Sequence, residues 1–171
     1  METIVYIADN FFSAGKTVIK DQNNQNVGFL DLRSAFSSAV SLYDLEESLL
    51  ASGQFKTFSN QWIVSDKNED LLGTLKTSWF SFSKKYTYTT SHRGIYTISS
   101  PAFSRDFSIS DEKSDEVATF KRTNHFFSSR AYEVNNFAGQ MTTEELIVVV
   151  MGVNALEKRK QGAAANGGGA N

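Results

Sequence analysis

Gly15-Lys16-Thr17 ends like a nucleotide-binding phosphate loop, in which glycines let backbone N–H groups cradle phosphates and the lysine reaches the outer ones. Asn10 stands where the first glycine belongs, however, and Val18-Ile-Lys-Asp21 reads as strand where a helix should begin, so Gly15 is expected to belong to a hairpin turn. Asp66-Lys-Asn-Glu-Asp70 opens like a calcium loop, but Leu71 replaces the required glycine and Thr77 the bidentate glutamate; a polar turn is expected instead. Asp111-Glu-Lys-Ser-Asp-Glu116 could hold a weak cation, yet reads better as an exposed acidic hairpin. His92 and His125 fall at opposite ends of the architecture derived below and cannot share a metal. The serines lack a Gly-x-Ser-x-Gly elbow and an identifiable base, and carboxylates pair only in turns, where acid–base catalysis is not expected. With no cysteine, thiolate nucleophiles, disulfides and Cys-based metal centres are excluded. No catalytic, cofactor or metal site is therefore expected, and the chain reads as non-enzymatic.

The elements that remain must come from a folded body. At 171 residues the chain has one-domain length, and 40% hydrophobic and 13% aromatic residues, with 14 Phe against a single Pro, exclude disorder and fibrous repeats for the body of the chain. The net charge of −2 lacks the excess that a general nucleic-acid binder carries. Met1-Glu-Thr-Ile-Val-Tyr6 has no basic and apolar leader, so a cytoplasmic location is expected. The longest apolar stretch, from Leu146 to Val153, falls well short of the ~18 residues that span a bilayer.

A repeat organises the chain. Phe-Ser recurs at Phe12, Phe36, Phe58, Phe80, Phe103 and Phe127, with gaps of 24, 22, 22, 23 and 24 residues. Between these pairs fall the turn formers Asp21, Asp44, Asp66, Ser91, Asp111 and Asn135. The intervening segments, such as Lys16–Lys20, Val40–Tyr43, Gln61–Val64, Tyr86–Thr90 and Gly94–Ile98, are β-branched, aromatic and partly alternating. Turns every ~8–12 residues mean antiparallel hairpins, and counting segments predicts twelve strands. Two further Phe-Ser pairs, at Phe82 and Phe107, fall outside the period.

The pattern then changes. Thr142-Thr-Glu-Glu145 reads as a capping box, with Met141 and Leu146 placed as a hydrophobic staple. A helix is expected over about 142–160, with Lys158-Arg-Lys160 near its negative end and Gly162 as its stop. Its middle, Leu146-Ile-Val-Val-Val-Met-Gly-Val153, is apolar on every side, which demands complete burial; a thirteenth strand is the rival reading. Twelve strands enclose more space than side chains fill, since ~8 already give a just-filled interior. The expected fold is mainly β with one helix, a closed 12-stranded antiparallel up-and-down barrel threaded by a buried C-terminal α-helix. Residues 1–160 form the single domain and 161–171 a disordered Gly/Ala/Asn tail.

The recurrent strand, turn, strand units, Val18-Ile-Lys-Asp21 with Val27-Gly-Phe29 and Ile63-Val-Ser-Asp66 with Leu72-Gly-Thr74, together with the final apolar helix, resemble the tubby C-terminal-like superfamily. The likeness is greatest to its short LURP-one-related members, with phospholipid scramblases as distant relatives, and extends from Glu2 to about Lys160. The resemblance implies the barrel fold. Family roles in phosphoinositide binding, lipid scrambling and transcription are expectations only, because neither the tubby phosphoinositide motif nor the scramblase calcium segment maps onto residues of this chain.

In an up-and-down barrel the Phe-Ser turns share one end and the Asp-type turns the other. The Phe-Ser half then takes 13 basic and 4 acidic residues, a balance of +9, against −11 for the other half. Near the basic end lie Trp79, Lys84, Lys85, Arg105, Lys121, Arg122, Phe126, Phe127 and Arg130, which are expected to bind anionic lipid headgroups or another anion. The simpler expectation for most of the Phe rings is that they fold inward and close the barrel. The partner is thus expected to be an anionic phospholipid membrane surface, touched peripherally, or else a protein docked on a scaffold module; nucleic acid is disfavoured. A hydrolase or lipid-modifying enzyme is the remaining alternative, and would require a pocket with convergent polar groups.

Overall fold

Alternating burial along β-branched and aromatic segments produces strands with one face committed to an interior. A computed structural model describes residues 1–8, 15–32, 39–78, 84–101, 104–124 and 131–166. The strands are β1 (Ile4–Ala8), β2 (Gly15–Lys20), β3 (Asn26–Leu32), β4 (Ala39–Tyr43), β5 (Leu49–Phe55) and β6 (Trp62–Asp66). They continue with β7 (Leu71–Thr77), β8 (Lys84–Thr90), β9 (Ile95–Ser100), β10 (Phe107–Ser110), β11 (Glu116–Thr123) and β12 (Ala131–Asn136), followed by the helix α1 (Thr143–Asn166). Each strand pairs antiparallel with its sequence neighbours, and β1 pairs with β12, with Ile4 opposite Asn135 and Ala8 opposite Ala131. The barrel is closed, so no strand edge is left to pair with another chain.

The Asp-type turns repeat one chemistry. Asp21, Asp66 and Asp111 each accept, through Oδ1, the N–H groups two and four residues on, at 2.8–3.0 Å; Asp44 accepts from Ser48 at 2.7 Å. The residue three positions after each Asp is left-handed: Asn24, Glu47, Glu69 and Ser114 have φ of 63°, 61°, 66° and 70°. This is the three-residue hairpin loop with a bulge at its exit, and the ladders shift register beside each turn. Two of the expected turn formers differ. Thr90, not Ser91, takes the Asp place, its Oγ1 accepting from Arg93 N at 2.9 Å. Asn135 lies within β12, and Asn136 makes the turn, accepting from Gly139 N at 3.3 Å and donating to Met141 O at 2.8 Å. Gly15, Lys16 and Thr17 lie in β2, and no helix follows them.

The helix fills the barrel. Leu146, Ile147, Val148, Val149, Val150, Met151 and Val153 are all at most 3% exposed, so burial on every side overrides the poor helix propensity of the valines. Thr142 Oγ1 accepts from Glu145 N at 3.2 Å, as a capping residue should, and Met141 and Leu146 are both buried. The Glu145 carboxylate, by contrast, is taken up by the barrel wall. Arg93 grips it with two hydrogen bonds of 2.7 and 2.8 Å, and Tyr88 OH donates to it at 2.6 Å. The C-terminal boundary also differs: α1 runs to Asn166, past Gly162, so 161–166 are helical where a disordered tail was expected. Residues 167–171 lie outside the described residues.

Candidate functional site

The basic end is built by alternation along the strands. In β8, Tyr86 and Tyr88 are buried, so Lys84 shares their inward parity and Lys85 faces out. Lys84 stands opposite Ser100 in register, and its Nζ lies 3.1 Å from Glu157 Oε1 of the helix. Tyr86 OH donates to the same carboxylate at 2.9 Å. Burial first, then the Glu157 charge, push the Tyr86 hydroxyl well above the usual tyrosine range.

In β11, Arg122 shares the parity of buried Phe120, and its N–H donates to Asp106 Oδ1 at 2.9 Å, drawing the Arg105-Asp106 segment to the strand end. Lys121 lies on the outer wall opposite Glu133, to which Tyr6 OH donates at 3.1 Å. The helix contributes Lys158, whose ammonium pKa is held below the usual lysine range by burial and then by the positive charge of Arg105. Its neighbour Arg159 donates to Ser59 O at 3.1 Å and lies 4.6 Å over the Phe55 ring. The structure thus separates the expected residues. Lys84 stands beside Glu157, Arg105 and Arg122 belong to the neighbouring β9–β10 connection and end of β11, and the helix brings in Lys158, so these four mark an arc of one barrel end from β8 to β11, while Lys85 and Lys121 are exposed on the outer wall. Trp79, Phe126, Phe127, Arg130 and His125 lie outside the described residues, as do the rings of Phe12, Phe36, Phe80, Phe82 and Phe103.

Phe58, one of the periodic Phe-Ser residues but not among the expected anion-binding residues, does not fold inward. It lies in the β5–β6 turn with φ of 54°, a left-handed backbone unusual for a side chain of its size, and is 103% exposed. The opposite fate meets Phe107, which is buried at 4%. Lys158, expected only as a charge near the helix's negative end, also comes under the influence of Arg105, which depends on the helix's rotation inside the barrel. The sorting of charge by ends is blurred in one place. Lys16, placed by its sequence at the basic end, reaches Glu47 of an Asp-type turn at 3.1 Å, because strands in a closed barrel are staggered.

The interior offers little room. Beside Trp62, whose buried Nε1 has no partner among the described residues, a cavity of about 20 Å³ is lined by Leu32, Val40, Met151, Asn154 and Lys158, enough for one water. A larger hollow of about 570 Å³ lies across β4–β7 and includes Ser41, Ser52, Ser65 and Thr74 in its lining. Among the described residues, no cluster of His, Asp and Glu could hold a metal ion, and no helix is long and apolar enough to cross a membrane.

A twelve-stranded barrel closed around its own C-terminal helix is a tubby-like barrel. The family model for LURP-one-related proteins matches residues 3–151, and the chain belongs to that family. A protein from Arabidopsis thaliana solved by X-ray crystallography has the same fold, with a TM-score of 0.60 at 17% identity over 88% of this chain and 90% of that one. No curated protein matches the chain.

Proposed function

We propose that the protein is a non-enzymatic peripheral binder of anionic lipid headgroups, acting at the cytoplasmic face of a membrane through the basic end of its barrel. The observation that carries this reading is the arc of Lys84, Arg105, Arg122 and Lys158 around a mouth whose β5–β6 turn presents the fully exposed Phe58 ring. Each basic residue near an anionic surface contributes about 1 kcal/mol, and an aromatic ring entering the headgroup layer adds apolar burial. Neither contribution requires a deep pocket, which agrees with a barrel filled by its own helix.

The test is co-sedimentation with anionic and neutral vesicles across a salt series, comparing wild type with Lys84→Glu/Lys85→Glu and with Phe58→Ser. Binding to anionic vesicles alone, weakened by salt and reduced in both variants with folding intact, is the expected result. Equal binding to neutral vesicles, or none at low salt, would overturn the proposal. The single variants separate mouth from wall, since Lys84→Glu alone should account for most of the double variant's effect.

A further inference from the structure

Among the described residues, large apolar side chains are exposed mainly at the end opposite the basic mouth. Leu45, Leu71, Ile95 and Phe137 are 54%, 53%, 43% and 52% exposed. All four stand in, or directly beside, the connections of the Asp-type end. Hydrogen bonds join three of these connections into a continuous rim. Ser91 N donates to Leu72 O at 3.4 Å, Ile95 N to Glu112 Oε1 at 3.0 Å, and Ala138 N to Val117 O at 3.2 Å. The same rim exposes Glu69, Asp70, Glu112 and Asp115, in the half of the barrel whose balance is −11. This end therefore combines unpartnered apolar area with negative charge. The opposite end of the same molecule combines an exposed Phe58 with the exposed Lys56, Lys76 and Arg159.

We infer that the acidic apolar end docks the basic end of a second copy of this chain, so that the protein associates head to tail. Complementary charge on the two ends selects this pairing over like ends, which would repel. The closed ladder removes edge-to-edge pairing as a route, leaving the ends and walls. A head-to-tail contact is heterologous and leaves one free end of each kind, so association grows into open chains. A membrane on the basic end would compete with it.

The experiment is sedimentation velocity over a concentration series, at about 0.05 M and about 1 M salt, where the screening length falls from over 10 Å to about 3 Å. The variants are Phe58→Ser at the basic end and Ile95→Ser/Phe137→Ser at the acidic end, with circular dichroism as the check on folding. Wild type should sediment faster as concentration rises at low salt and lose most of that dependence at high salt. Each variant alone should associate about tenfold more weakly. The decisive sample is the equimolar mixture of the two variants. One keeps an intact acidic end and the other an intact basic end, so together they should form a 1:1 dimer that grows no further. A wild type that is monomeric throughout at low salt, or a mixture no more associated than its parts, would overturn the inference. The acidic-end variant should bind anionic vesicles like wild type, so failure of the lipid reading and failure of this one are separately visible.

Discussion

Gly152→Ala tests whether the helix occupies the barrel as the structure has it. At Gly152, α1 passes the indole of Trp62 so closely that a Cβ would lie 2.4 Å from Cδ1 and 2.6 Å from Nε1. The indole has little room to retreat, since the cavity beside it amounts to only about 20 Å³. It is 1% exposed, and a Cβ at Gly53 would lie 2.5 Å from the same Nε1. Non-bonded carbons rest at about 3.5–4.0 Å, so the added methyl overlaps the ring by about an ångström or more. Overpacking of a well-filled core costs about 1–3 kcal/mol, and an overlap of this size against a closely held ring belongs in the upper part of that range. Replacing a helical glycine by alanine returns about 1 kcal/mol. The net expectation is a loss of about 1–2 kcal/mol, or a fall in Tm of about 2–8 °C for a chain of this length. Gly162→Ala, on the same helix with nothing within 4 Å of its Cβ, has only the propensity gain and should stabilise by up to about 1 kcal/mol. Urea unfolding of both variants, and of Gly152→Ala in a Trp62→Phe background where the smaller ring should relieve the clash, completes the test. If Gly152→Ala stabilises the protein as Gly162→Ala does, the helix does not pass Trp62 at this distance and the filled-barrel reasoning fails.

Arg93→Leu leaves the 1%-exposed Glu145 buried without its cation, and should cost about 3 kcal/mol, the lower part of the usual range because Arg93 itself is 32% exposed; a urea midpoint unchanged from wild type would contradict this. Asp21→Ala removes the acceptor of two turn N–H groups from a residue only 5% exposed, and should cost about 1.5–3 kcal/mol in the same assay. Tyr86 and Tyr88 have hydroxyl pKa values raised above 10.0, by burial and then by Glu157 and Glu145 respectively. The native state therefore keeps protons that the unfolded chain releases, so this stability is whole below pH about 10 and falls above it by up to about 1.4 kcal/mol per pH unit for each tyrosine. Urea midpoints measured from pH 8 to 11.5 should show that decline, and Tyr86→Phe should make it shallower. Phe58→Gly relieves a left-handed backbone and should raise stability by about 1 kcal/mol while weakening vesicle binding, a pairing of effects that a merely structural phenylalanine would not give.

The turn chemistry explains how much of the fold can be read directly. An aspartate that receives two N–H groups at fixed offsets is a local device, so its recurrence marks the hairpins before any packing is known. Where two candidates stand side by side, long-range pairing decides. Asn136 turns and Asn135 does not because β12 is held in register by β1, Asn135 facing Ile4 and Asn136 N donating to Thr3 O at 2.8 Å. The helix start is legible because its cap is local, and its end is not. Gly162 meets no opposing contact, and the three alanines after it, the best helix formers, outweigh one glycine's cost of about 1 kcal/mol. At the basic end, the inward place of Lys84 follows from Lys84-Lys85-Tyr86-Thr87-Tyr88 once the tyrosines are assigned to the core. The approach of Lys158 to Arg105 depends on how the helix is rotated inside the barrel, and the exposure of Phe58 on a backbone conformation that its residue type disfavours; neither is written in local sequence.

The charge asymmetry has a structural origin as well as a functional reading, and the two can be separated by position. The helix enters at the acidic end, where its N-terminal N–H groups carry about half a positive charge, and points its carbonyls toward the basic end. Glu144 and Glu145, in the first turn, complement that dipole directly. The effect fades within one turn, however, and Lys158, Arg159 and Lys160 lie more than a turn before Asn166. The dipole consequently explains two carboxylates and leaves the basic mouth unexplained. Lys84 has a stabilising partner in Glu157, so its reversal should lower both stability and vesicle binding. Lys85, exposed on the outer wall of the same strand, provides the contrast, because its reversal should leave the unfolding midpoint unchanged. If Lys85→Glu nevertheless weakens binding as much as Lys84→Glu does, the whole rim acts as a diffuse positive field. If only Lys84→Glu weakens it, the headgroup is held at the mouth itself, where the alternation of β8 sets Lys84 beside Glu157.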